Sequence, residues 1–270
     1  MNAGRLAEVE ALLLSGDLTA ALAALDQHLI VEPEDDEARR LRALVRLHSD
    51  RAADWQAALA DLAALPALTP PDYLTRAALY EQLADLDSAA ATVEQARQRY
   101  PDDDQLTERH LSLLRAAGDH GAAYELALTL PARWRWLRWA GDLAPDDYSA
   151  AVHYGQALAH FDATFERTNP LAASLRADLL LRRAGAFLRC RDLNAAEADY
   201  RAAAELLPGD PAVQFALGVI AYLRDDSVTA LRECRAALVS AAPDVRASLL
   251  ELVREASDIA PLAALLGHAP

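Results

Sequence analysis

Lysine is absent from this 270-residue chain, so the 26 basic residues are all arginine. Its absence removes the phosphate-gripping lysine of P-loops and all Schiff-base chemistry. Set against 41 acidic residues, the arginines leave a formal net charge of −15. Such a surface repels phosphate backbones and anionic lipid, which argues against nucleic-acid and membrane partners. Cysteine is almost as scarce. Cys190 and Cys234 alone make neither a disulfide framework nor a metal site, and in a reducing compartment they stay thiols. No stretch approaches 18 uncharged apolar residues, so no membrane span is expected. Glu8 and Glu10 interrupt the N-terminal apolar run, against a secretory leader. A soluble, cytoplasmic protein of bacterial type is expected.

Motifs of catalysis are missing too. The sequence holds no Gly-x-Ser-x-Gly elbow, no Gly-rich phosphate loop, no Cys–His signature and no EF-hand loop. Of the histidines only His153 and His160 share a helical face, seven residues apart, where a chelating pair needs three or four. Cys190 and Cys234 are placed inside helices in apolar surroundings, as inert packing. No catalytic residue, cofactor or metal is therefore assigned, and the chain is expected not to be an enzyme.

What the chain has in quantity is Ala and Leu, within an apolar content of 53% that includes only four Phe and four Trp. These are the strongest apolar helix formers, so an all-helical chain follows. Between Ala184 and Pro243 one helical hairpin is stated twice, its small-residue marker Ala196 recurring 34 residues later at Ala230. The same marker appears as Ala21, Ala58, Ala89 and Ala123, at intervals of 37, 31 and 34 residues. Four units share a 12-residue step from marker to closing proline: Ala21 to Pro33, Ala58 to Pro70, Ala89 to Pro101 and Ala196 to Pro208. In the first unit Leu6, Val9, Leu12 and Leu13 form one buried stripe. Acidic clusters at Glu32–Glu37, Asp102–Asp104, Asp146-Asp147 and Asp210 lie beside prolines, where Asp caps helix starts.

This register resembles the tetratricopeptide (TPR) repeat family, whose units are 34-residue helix–turn–helix hairpins. Phe187, Leu193, Ala196, Tyr200, Ala203 and Pro208 carry the likeness in one unit; Leu217, Gly218, Ala230 and Ala237 carry it in the next. The resemblance implies an all-α, right-handed superhelical solenoid of six to seven antiparallel hairpins with a C-terminal capping helix. It is expected as a single body over 1–270: degenerate repeats in 3–130, an irregular Trp-rich hairpin and insertion in 131–176, two well-formed repeats in 177–243, and a cap in 244–270.

The family's function is to hold a protein or peptide on the concave face made by the first helix of each hairpin. Carried over, that register gives Arg40, Glu81, Glu108, Ser112, Arg115, Arg182, Arg189 and Tyr222 as partner-binding candidates. The irregular centre adds Trp134, Trp136 and Trp139, interleaved with Arg133, Arg135 and Arg138. Helical angles set Trp136 and Trp139 about 60° apart and Trp134 on roughly the opposite side. These rings either fill space left by a shortened hairpin or form an aromatic–Arg anchor. The leading expectation is a scaffold or adaptor for a protein partner. A homo-oligomerisation module and a small-molecule sensor with a pocket at the central hairpin stay open as alternatives.

Overall fold

The computed structural model describes residues 9, 11–165 and 170–267; Leu6, Asn169 and His268 lie outside the described residues. Among those described, every regular element is a helix, as the composition demands. After helical residues 11–15 come α1 (Leu18–Val31), α2 (Asp36–Leu47), α3 (Ala52–Ala63), α4 (Pro70–Gln82), α5 (Leu86–Arg99), α6 (Asp104–Ala116) and α7 (His120–Thr129). Then follow α8 (Trp134–Leu143), α9 (Asp147–Thr164), α10 (Pro170–Arg189), α11 (Leu193–Leu206), α12 (Pro211–Leu223), α13 (Ser227–Ser240), α14 (Pro243–Glu255) and α15 (Ala260–Gly267). The chain divides into two compact units, Met1–Ala123 and Tyr124–Pro270. In each, consecutive helices pack as antiparallel hairpins, the helical-repeat architecture.

Punctuation is local and repeated. In six turns among the described residues a residue with positive φ directly precedes the Asp that caps the next helix. The residues are Gly16, Ala84, Gly118, Arg191, Gly209 and Asp225, with φ between 57° and 80°. Their caps, Asp17, Asp85, Asp119, Asp192, Asp210 and Asp226, each accept a backbone N–H three residues on. Such an acceptor satisfies one of the orphan donors of a helix start. The prolines mark the other junction: Asp35, Asp103 and Asp210 cap α2, α6 and α12 just after Pro33, Pro101 and Pro208. Asp146 does the same for α9. Each acidic cluster of the sequence thus supplies a cap.

Inside the hairpins the marker alanines do what a small side chain permits. Ala21, Ala58, Ala89, Ala123, Ala196 and Ala230 are all 0% exposed. In the first unit Leu25, Leu29 and Val45 pack beside Ala21; Tyr73, Val93 and Leu106 pack beside Ala89. In the second, Val253, Leu262 and Leu266 of the last two helices, with Ile259 in the turn between them, cover Phe215, Val219 and Cys234. That is the capping function expected of the C-terminal segment, which closes the apolar side of the last repeat.

Asp35 has a measurable consequence. Its Oδ1 accepts from the Glu37 and Ala38 N–H groups, and its Oδ2 meets His28 Nε2 at 2.8 Å. Burial alone would raise this carboxyl, but the Ala38 N–H and the His28 ring outweigh it and hold the pKa at about 2. A depressed carboxyl stabilises the fold above its unfolded value of about 4, and the contribution, about 2 kcal/mol, is lost as pH falls towards 2. Melting temperature should therefore fall more steeply between pH 5 and 2.5 in the wild type than in Asp35→Asn. Identical acid limbs would show that the Asp35 contacts contribute nothing.

Candidate functional site

In the first unit the first helices α2, α4 and α6 lie side by side, and the sequence candidates tie them together. Arg40 of α2 donates from Nε to Asp72 Oδ2 of α4 at 3.1 Å and from Nη2 to the Ala67 carbonyl at 3.3 Å. Asp72 is buried and accepts on the same oxygen from the Thr69 N–H and hydroxyl, each at 2.8 Å. Glu81 of α4 accepts a guanidinium N–H from Arg109 of α6. On α6, half-buried Glu108 and Ser112 and exposed Arg115 follow at helical spacing along one stripe. The partners Asp72 and Arg109 were not foreseen. They sit 32 and 28 residues from Arg40 and Glu81, and no local spacing announces such pairs.

In the second unit Trp136 and Trp139 are 3% and 5% exposed, so both rings are core. Trp134 is half-buried and meets Phe161 and Phe165 edge-on, with centroids at 5.3 and 6.3 Å. The 160° turn between Trp134 and Trp136 is thus accommodated by neighbours on both sides of α8. A cavity of 210 Å³ lies next to Phe161 and Phe165, lined also by Ala172 and Arg176. Arg182 donates to Asp178 Oδ2 at 2.9 Å and to Asp142 Oδ1 at 2.7 Å; Asp142 also accepts the Tyr154 hydroxyl at 2.7 Å. Burial, and then the Asp142 carboxylate, push the Tyr154 phenol above its ordinary value. Arg189 donates from Nε to Asp147 Oδ1 at 2.6 Å, and half-buried Tyr222 packs beside Phe215 and Val219.

The histidines and thiols fall into place separately. His153 Nε2 pairs with the Tyr124 hydroxyl at 2.9 Å, while His160 is exposed. Among the described residues one group of potential metal ligands, His28, Glu32 and Asp35, brings ligand atoms within 4.8 Å, and its Asp35 already caps α2. Cys234 is buried in α13, and burial pushes its thiol up to about 12. The other cysteine corrects the sequence expectation. Cys190 is exposed and lies outside the helix, because α10 ends at Arg189 ahead of the positive-φ turn at Arg191. Ellman's reagent at pH 8 should titrate one thiol in the folded protein and a second only after unfolding in guanidinium. Two equally fast thiols in the native state would contradict the burial of Cys234.

A half-enclosed apolar cavity of about 610 Å³ opens between α10, α12 and α14. Leu181 and Leu188 line it from α10, Val213 and Val219 from α12, Leu249 and Leu252 from α14. Arg189 and Tyr200 are among its polar lining residues.

These stacked hairpins define a helical-repeat protein with a polar first-helix face. Known structures narrow the class. The chain is similar to the C-terminal part of a TPR repeat-containing protein from Cytophaga hutchinsonii, with TM-score 0.65 and 13% identity over 90% of this chain and 97% of that one. It is also similar to MamA, with TM-score 0.50 and 13% identity over 64% of this chain and 96% of that chain. No protein-family model and no curated protein matches the sequence. The fold is the TPR-like helical repeat.

Proposed function

We propose that the chain is a non-enzymatic scaffold that binds a protein or peptide on the faces formed by the first helices of its hairpins. The observation that carries this reading is the locking of neighbouring first helices in the first unit, Arg40 to Asp72 and Glu81 to Arg109. A face held by cross-helix pairs is preorganised, so a partner meets Glu108, Ser112 and Arg115 at little ordering cost. The TPR-like fold supports the same reading. In the second unit Arg182, Arg189 and Tyr222 are the corresponding contacts, and Trp134 is the aromatic with surface to offer.

The test is comparative capture from the native cell with quantitative mass spectrometry, using wild type, Arg115→Glu and Arg182→Glu. A protein enriched by the wild type and lost from the variants, with melting temperatures unchanged, supports the reading. A partner retained equally by all three sinks it, as does the absence of any specific partner.

A further inference from the structure

The 610 Å³ cavity in the second unit has a built polar end. Gly185, Arg189 and Tyr200 line it together, and the two polar side chains lie close to the Gly185 backbone. Arg189 Nη1 lies 3.4 Å, and the Tyr200 hydroxyl 4.0 Å, from the position a Cβ on Gly185 would take. Arg189 gives Asp147 only its Nε–H, and among the described residues the Tyr200 hydroxyl makes no hydrogen bond. Burial raises the Tyr200 phenol, against the opposing pull of Arg189, so it stays a protonated donor at neutral pH. The remaining guanidinium N–H groups of Arg189 and the Tyr200 hydroxyl, both near Gly185, are complementary to a carboxylate, which takes a guanidinium N–H and a hydroxyl together.

Away from that end the wall is hydrocarbon, as Leu181, Leu188, Val213, Phe215, Val219 and Leu252 illustrate. An extended peptide laid there would bring an amide N–H and C=O at every residue, with no partner for them. A plain alkyl chain brings none. The volume lies within the range of about 300–1,000 Å³ typical of small-ligand sites, which are likewise apolar with a few placed polar groups. At the rim, Asp258 in the turn before α15 pairs with Arg191 in the turn after α10.

We propose that this cavity is a binding site for a long-chain aliphatic monocarboxylate, its alkyl chain between α10, α12 and α14 and its carboxylate on Arg189 and Tyr200. The site lies within the second unit and shares Arg189 with the first-helix face proposed there for protein binding.

Isothermal titration of the full chain with hexadecanoate, below its aggregation concentration, tests this. One saturable site is expected, with hexadecanol weaker and acetate silent. Arg189→Gln and Tyr200→Phe should each weaken hexadecanoate about tenfold, the effect of one hydrogen bond to a charged group. Ala216→Trp, which fills the cavity, should abolish binding while the melting temperature holds; should Tyr200→Phe unfold the protein, the other two variants decide. No saturable binding, equal affinity for hexadecanol, or wild-type affinity in Arg189→Gln and Ala216→Trp would overturn the proposal. So would tight binding of a decapeptide ending in three leucines with a free C-terminus, where hexadecanoate does not bind.

Discussion

Gly218→Val should cost about 3 kcal/mol or more, at the upper end of overpacking losses in well-packed helical cores. Gly218 lies on α12 where α13 packs tightly against it. A Cβ there would stand 2.5 Å from Cys234 Sγ, 3.1 Å from Cys234 N and 3.2 Å from the Ala230 carbonyl oxygen. Two of those three atoms are backbone of the partner helix, so relief requires moving α13 itself. Its core contacts with Phe215, Val219 and Val253 would move with it.

Gly218→Ala separates the two terms at work. Replacing a mid-helix glycine by alanine gains about 1 kcal/mol of helix propensity. Steric overlap with immovable backbone typically costs about 1–3 kcal/mol, so the clash should win and the variant should lose stability. Cys234→Ala removes the 2.5 Å contact and leaves the backbone contacts, so Gly218→Ala should be better tolerated in that background than in the wild type. Chemical denaturation of the four proteins reads the coupling directly. A Gly218→Ala protein as stable as the wild type would mean the hairpin opens freely, and the close approach would carry no energetic weight.

That close approach was legible because repeats state it more than once. A small residue at a fixed register, followed 12 residues later by proline, can only serve two helices that meet and a chain that then turns. Hence the marker alanines, the Asp caps and the C-terminal cover all follow from spacing and local chemistry. The candidate surface was legible only in part. Register places Arg40, Glu81, Arg182 and Arg189 on first helices, but rotamers and neighbours decide what they touch. Beyond Asp178 on the helix of Arg182 itself, the carboxylate or guanidinium partners named above come from other helices, up to 42 residues away. The cavity is less legible still, since it needs Gly185, the α12 wall and the α14 cover at once. The Trp cluster shows the boundary: helical angles gave the two directions of its rings, and only the packing around α8 made Trp136 and Trp139 core.

The second large effect is expected at Asp199, where charge rather than volume is at stake. Arg183 of α10 grips this α11 carboxylate with a fork, Nε to Oδ2 and Nη2 to Oδ1, both at 2.7 Å. The Asp199 side chain is 8% exposed and that of Arg183 26%. The guanidinium is held further by the Phe187 ring, 5.8 Å from its carbon, and by the backbone at Gly155, where a Cβ would sit 3.5 Å from Nη1. Asp199→Ala leaves that cation fixed between helices without its counter-charge. Removing one member of a buried pair costs about 3–5 kcal/mol, and the partial exposure of Arg183 puts this case near about 3 kcal/mol. Replacing both partners with apolar residues of similar size, Arg183→Met with Asp199→Leu, should recover most of the loss, because no charge is then left stranded. If Asp199→Ala cost less than about 1 kcal/mol, the pair would be behaving like a solvent-screened surface bridge. A double variant no better than the single one would place the loss in packing instead, since Arg183 also spans three helices as a rigid wedge.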